Sequence, residues 1–82
     1  MVTYISKGKE RKELTMGKKL CDSGQVDGVY EIIAYPSNGK GFIQLNAEKR
    51  ETIKGKKEAF LAYYRILNGY RKEGWEVEEI KR

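Results

Sequence analysis

Residues 54–75 read KGKKEAFLAYYRILNGYRKEGW, the one long stretch of the chain with a sustained helical period. At 100° per residue, Ala59, Phe60, Ala62, Tyr63, Ile66, Leu67 and Tyr70 share one arc of roughly 200°, with Tyr64 on its edge. That arc is wider than the stripe of an ordinary surface helix, so it calls for a broad apolar surface, which a sheet provides. Leu61 stands alone on the far side. Gly55 puts the start near Lys56 rather than at Thr52, the other capping candidate. Arg71 and Lys72 suit the negative end of the helix dipole, and Gly74 supplies a left-handed stop. The expected helix is residues 56–73.

Upstream, the pattern is that of strands. Residues 2–6 (VTYIS) alternate and are β-branched or aromatic. Residues 10–16 (ERKELTM) read as the returning strand of a hairpin, with Leu14 and Met16 inward and Thr15 outward; a short helix is the alternative, since Glu10, Arg11, Lys12 and Glu13 are good helix formers, and Gly17 is expected to break the strand before pairing resumes at Lys19 to Cys21. Asp22-Ser23-Gly24 and Asp27-Gly28 are turn signals. Residues 29–35 (VYEIIAY) carry apolar groups on both faces, which marks a central strand. Pro36 opens a loop through Asn38-Gly39, and residues 41–46 (GFIQLN) are expected to pair back on VYEIIAY. Residues 47–50 then turn, and residues 51–54 form an edge strand or a lead into the helix. After the helix, Trp75 and Val77 are expected to face the core, with Glu76, Glu78 and Glu79 in solvent. The fold class that follows is α+β: a mostly antiparallel sheet of four to six short strands, packed on one C-terminal helix (56–73), with a final strand after it.

The 82 residues make one domain, 1–82, with nine aromatic residues for its core: six Tyr, two Phe and one Trp. A chain of this size buries roughly 60–65% of its surface, so its stability is thin. No apolar run approaches the ~20 residues of a membrane span. The opening MVTYISKGKE is too polar for a signal peptide, and the single Cys21 suits a reducing compartment, so the expected location is cytoplasmic and the partners include no membrane.

The residue types needed for catalysis are scarce. Histidine is absent, Cys21 has no base beside it, and no carboxylate pair lies between apolar elements. No metal set and no cofactor motif is present; Asn38-Gly39-Lys40-Gly41 lacks the Ser or Thr and the following helix of a phosphate loop. The expectation is a non-enzymatic binding protein.

The formal charge is +5, from 17 basic and 12 acidic residues. Basic residues gather at Lys7 to Lys19 and again at Lys49 to Lys57, which favours an anionic partner. The first reading is therefore nucleic-acid binding, single-stranded or weakly sequence-specific. Lys40, Phe42 and Tyr35 would form a stacking surface, with Lys49, Arg50, Lys54, Lys56 and Lys57 on the phosphates. The alternative is a protein-binding regulator or inhibitor of bacterial, phage or mobile-element origin, using Leu61 and Tyr64, through which a homodimer could also form. A third reading is a nucleotide or small-molecule sequestering protein with Tyr63, Tyr70 and Trp75 around a pocket.

The run GKGFIQLNAEK at residues 39–49 resembles a segment of transcriptional-coactivator-type single-stranded DNA-binding proteins, in which a curved sheet is backed by a helix. The tripeptide KGF within it is similar to part of the cold-shock ribonucleoprotein motif, and the closing Gly74-Trp75-Glu76 resembles the end of small bacterial domains of undefined role. The final strand is foreign to the coactivator pattern and the long helix to the cold-shock pattern, so no family membership follows.

Overall fold

A computed structural model describes residues 1–37 and 47–81. In chain order these form β1 (Val2–Lys7), β2 (Glu10–Cys21), β3 (Gly24–Ser37), β4 (Lys49–Lys54), α1 (Lys56–Lys72) and β5 (Glu76–Lys81). Among the described residues the strands make one sheet in the order β4-β3-β2-β1-β5, every neighbour antiparallel. The α+β class, the single helix and the strand after it are as the sequence pattern implies. β4 and β5 run in the same direction at opposite sides of the sheet. α1, about 25 Å long at 1.5 Å per residue, carries the chain across between them.

The helix lies over β2, β3 and β4. Its buried residues are Ala59, Ala62, Tyr63, Ile66 and Leu67, the arc of the helical wheel. They meet Ile5, Leu14, Met16, Ile32 and Ala34 from the sheet, with Trp75 closing one end and Phe60, Tyr70, Tyr30 and Ile53 at the margins. The two alanines leave room for Tyr63, whose ring is fully enclosed. Its hydroxyl donates to the Leu14 carbonyl at 2.9 Å and lies 2.5 Å from Thr3 Oγ1. The phenol has one proton and spends it on Leu14, so Thr3 is the donor in the second bond. Thr3, itself 0% exposed, is thereby satisfied.

Several local expectations are revised. Gly17 does not interrupt β2, which runs on to Cys21. Asp27-Gly28 does not reverse the chain. The register steps from Lys18↔Tyr30 to Leu20↔Gln25, so extra β3 residues bulge out opposite Lys19, and Gly28 at φ 72° absorbs the distortion. The turn chemistry is real, but a long hairpin partner keeps both sides of the bulge in one strand.

Pro36 lies inside β3, opposite Lys12, beyond the part of β3 that pairs with β4. There its missing N–H costs no bond to β4. Lys49 and Arg50 belong to β4 rather than to a turn, because their strand completes the pairing of residues 29–34. The strand expected over 41–46 lies outside the described residues. Val77 is 36% exposed rather than core: α1 sits over the other half of the sheet, leaving β5 at an open margin.

The helix begins at Gly55, whose φ of 93° only glycine adopts freely, and no side chain caps it. Gly55 N–H bonds the Gly28 carbonyl at 2.8 Å, so the helix start is tied to the β3 bulge. Gly74 (φ 100°) ends the helix as expected, with Trp75 N–H bonding back to the Tyr70 carbonyl at 3.1 Å.

Candidate nucleic-acid interface

With the helix on one face, the alternation of the strands decides what the other face presents. Leu14 and Met16 point to the helix, so Glu13, Thr15 and Gly17 point away. The register carries this across the sheet. Val2, Thr15, Ile33 and Arg50 form one cross-strand row, and Tyr4, Glu13 and Tyr35 form the next. No helix covers this face among the described residues, yet Ile33 is only 8% exposed and Tyr35 is half-buried.

The result is a hollow of about 760 Å³ on the face opposite the helix. Val2 and Ile33, with Thr15 between them, form its floor, Tyr35 lies to one side, and Lys18, Lys19 and Arg50 stand around it with Leu20. Gly17 contributes space: a Cβ built there meets nothing within 4 Å. Arg50 is not a free cation, since its Nη1 lies 3.3 Å from Glu31 Oε1, and Glu31 also lines the hollow.

The basic residues of two distant sequence segments converge beside it. Val29 pairs with Lys54, and Gly55 bonds Gly28, so Lys54, Lys56 and Lys57 lie at the end of the sheet from which the β2–β3 hairpin projects. Lys18 and Lys19 are on that hairpin. None of these five lysines enters an ion pair among the described residues, whereas Arg11, Lys12, Arg50 and Arg65 all do. Asp22, Asp27 and Glu58 lie at the same end, so the cluster is partly offset. Lys7 and Lys9, from the same basic run as Lys18, sit at the opposite end in the β1–β2 turn, and Lys7 packs toward Gly74.

The structure thus divides the expected nucleic-acid residues. Tyr35 and Arg50 line the hollow, and Lys54 shares their face at its basic end. Lys56 and Lys57 open the helix at that same end. Lys49 is turned to the helix side, opposite Ala34 and beside Tyr70 and Glu73. Lys40 and Phe42 lie outside the described residues. Lys18, Lys19, Gly17 and Ile33 were not singled out from sequence as site residues. The outward phase of β2 was visible, but joining Lys19 to Lys57 needs the pairing of β2, β3 and β4.

Leu61 is 63% exposed and Tyr64 38%, so both remain accessible on the helix flank. A second hollow of about 380 Å³ lies beside Tyr64, lined by it with Met1, Met16 and Phe60. Of the residues imagined around a small-molecule pocket, Tyr63 is sealed in the core. Trp75 is 7% exposed, with the Lys12 ammonium 4.9 Å above its ring and Tyr70 edge-on at 6.1 Å. Lys12 also pairs with Glu48, which accepts a 3.0 Å bond from the Tyr70 hydroxyl. Burial alone would raise the Glu48 pKa, but the bonds from Lys12 and Tyr70 and the charges of Lys12 and Lys49 outweigh it and hold the carboxyl below its usual range. This cluster ties β2, β4 and the helix end together.

Among the described residues no group of three or more His, Cys, Asp or Glu side chains is placed to hold a metal ion, and no helix is long and apolar enough to cross a membrane. No family model, curated protein or solved structure matches the chain at a significant level. The resemblances of residues 39–49 and 74–76 therefore stand without a matching family.

Proposed function

We propose that this protein binds single-stranded nucleic acid without catalysing a reaction, with the hollow on the open sheet face as the binding surface. One observation carries the reading: an apolar floor with an aromatic side and a cationic surround, continuous with a lysine-rich end of the sheet. An unstacked base has an apolar face for Ile33 and Val2 and a π-surface for Tyr35, while its phosphates need cations a few ångströms away. A duplex keeps its bases stacked and would offer this floor nothing.

Fluorescence anisotropy with a labelled twelve-nucleotide DNA strand and its duplex tests the reading. Three phosphate contacts on a single strand correspond to a log–log salt slope of about −2, so affinity should drop roughly twentyfold between 50 and 200 mM salt. Gly17→Leu should project into the hollow and weaken binding without unfolding the protein, because nothing lies within 4 Å of the new Cβ. No binding at 20 mM salt, or undiminished binding by Gly17→Leu, would count against the proposal.

A second reading, a protein partner or a second copy of this chain, is favoured by the exposed Leu61 and by Tyr64 beside the Met1–Phe60 hollow. Light scattering of the wild type and of Leu61→Lys tests the dimer form: a dimer that the lysine disperses supports it, and a wild-type monomer removes it.

A further inference from the structure

The uncovered face holds a central carboxylate that the proposed binding surface does not use. Glu13 stands in the middle of the sheet with Tyr4 directly across on β1 and Tyr35 directly across on β3. Directly opposed side chains have Cβ atoms about 4.5–5.5 Å apart, so the carboxylate is flanked by an aromatic group on each side. It is half-buried, and burial raises its pKa. Glu13 enters none of the ion pairs among the described residues, although Arg11 lies two positions away on the same face and pairs instead with Glu78 at 2.7 Å. Tyr4 carries the Lys81 ammonium 5.4 Å from its ring centroid. Tyr35 belongs both to this row and to the lining of the hollow, so the two features are contiguous.

A carboxylate is an unwelcome neighbour for a phosphate, and at the centre of a surface that binds a polyanion it needs a different role. It offers two in-plane acceptors. Among the four DNA bases only guanine presents two adjacent donors on its pairing edge, N1–H and the N2 amino group. Thymine presents a single N–H between two carbonyls, which a carboxylate repels. We infer that Glu13 reads guanine, accepting both donors of a base whose ring lies against Tyr35 at the margin of the hollow. This rests on the single-strand reading above. The net charge of +5 and the unpaired lysines at the hairpin end bring the polyanion to this face.

The test is anisotropy at pH 8 with three labelled nonamers: all thymine, thymine with two central guanines, and the same with hypoxanthine for guanine. The guanine strand should bind about tenfold tighter than the thymine strand, the scale of one good two-donor base contact. Hypoxanthine lacks the N2 amino group and should lose most of that gain. Glu13→Gln, close in size and checked by its melting curve, should bind all three strands with equal affinity, at or somewhat above that of the wild type for the thymine strand, because a charge that repels phosphate is gone. Equal wild-type affinity for the guanine and thymine strands, or a guanine preference that survives Glu13→Gln, overturns the assignment and leaves the binding reading standing. If the wild type binds none of the strands, the nucleic-acid reading itself falls, and the row is then better matched to a cationic side chain of a protein.

Discussion

Tyr63→Phe removes one oxygen atom, and the structure fixes what that oxygen does. Thr3 Oγ1 is fully buried and donates to the phenol at 2.5 Å; the phenol donates to Leu14 O at 2.9 Å. The phenylalanine ring fills the same space, so no large cavity term enters. What remains is a buried Thr3 hydroxyl without its acceptor and a Leu14 carbonyl without this donor, and a group so stranded costs about 1–3 kcal/mol. For a domain of this length each kcal/mol lowers Tm by about 4–8 °C, so a fall of roughly 8–16 °C is expected for a cost near 2 kcal/mol. Thr3→Val removes the stranded donor at nearly constant shape. The double variant Thr3→Val/Tyr63→Phe should therefore be more stable than the sum of the two single losses predicts, by about 1 kcal/mol or more.

Urea titrations of the four proteins measure this cycle. Alkaline titration supplies an independent check. Burial, outweighing the bond from Thr3, pushes the Tyr63 pKa up to about 12 from a reference of 10. The neutral phenol is thus favoured in the folded state. Its contribution is complete below pH 10, the unfolded value, and is lost as pH rises through the folded value near 12. The loss amounts to about 2–3 kcal/mol over that window. Tyr63→Phe should lose stability less steeply there, though not lack the slope entirely, because the Tyr70 pKa is also raised by burial and by its bond to Glu48. Strict additivity in the cycle, together with an unchanged alkaline limb, would refute the reasoning.

Other perturbations separate the parts of the molecule. Gly55→Ala should cost at least about 1 kcal/mol by thermal melting, because φ is 93° and the new Cβ would collide with Glu58 Oε2, so the side chain must move and the backbone is still strained. Leu67→Ala should cost about 2–5 kcal/mol, whereas Leu61→Lys should stay within about 0.5 kcal/mol of wild type, since Leu67 is 4% exposed and Leu61 63%. Lys12→Met should flatten the acid limb of the stability curve. The depressed Glu48 carboxyl contributes stability above its unfolded pKa that disappears as pH falls through the folded one, and Lys12 is a principal cause of that depression. The same change should also shift the emission of Trp75, which loses the cation over its ring.

What the sequence determined by itself is whatever repeats over a few residues. The 3.6 period of residues 59–70 named the buried side of α1, because helix geometry depends only on neighbours along the chain. The twofold alternation of 13–16 likewise named Leu14 and Met16 as inward, and the lone outward Leu61 was visible from the helical period, whereas 29–35, apolar on both faces, placed Ile32 and Ala34 together without showing which face the helix covers. Gly55 and Gly74 bounded the helix because their positive φ is a property of single residues.

Only the tertiary structure decided which strands are neighbours. Hydrogen bonding makes β4 the partner of residues 29–34 and sends β5 to the far side of β1, and no local pattern encodes either choice. That order turned Asp27-Gly28 from a reversal into a bulge, left Val77 at an open margin, and brought Lys18 and Lys19 to the end that holds Lys54, Lys56 and Lys57. It also aligned Tyr4, Glu13 and Tyr35, three residues from three strands whose separation in sequence gives no hint of one row. Periodicity is local and survives in one dimension. A binding surface is a set of cross-strand neighbours, and it exists only once the register is fixed.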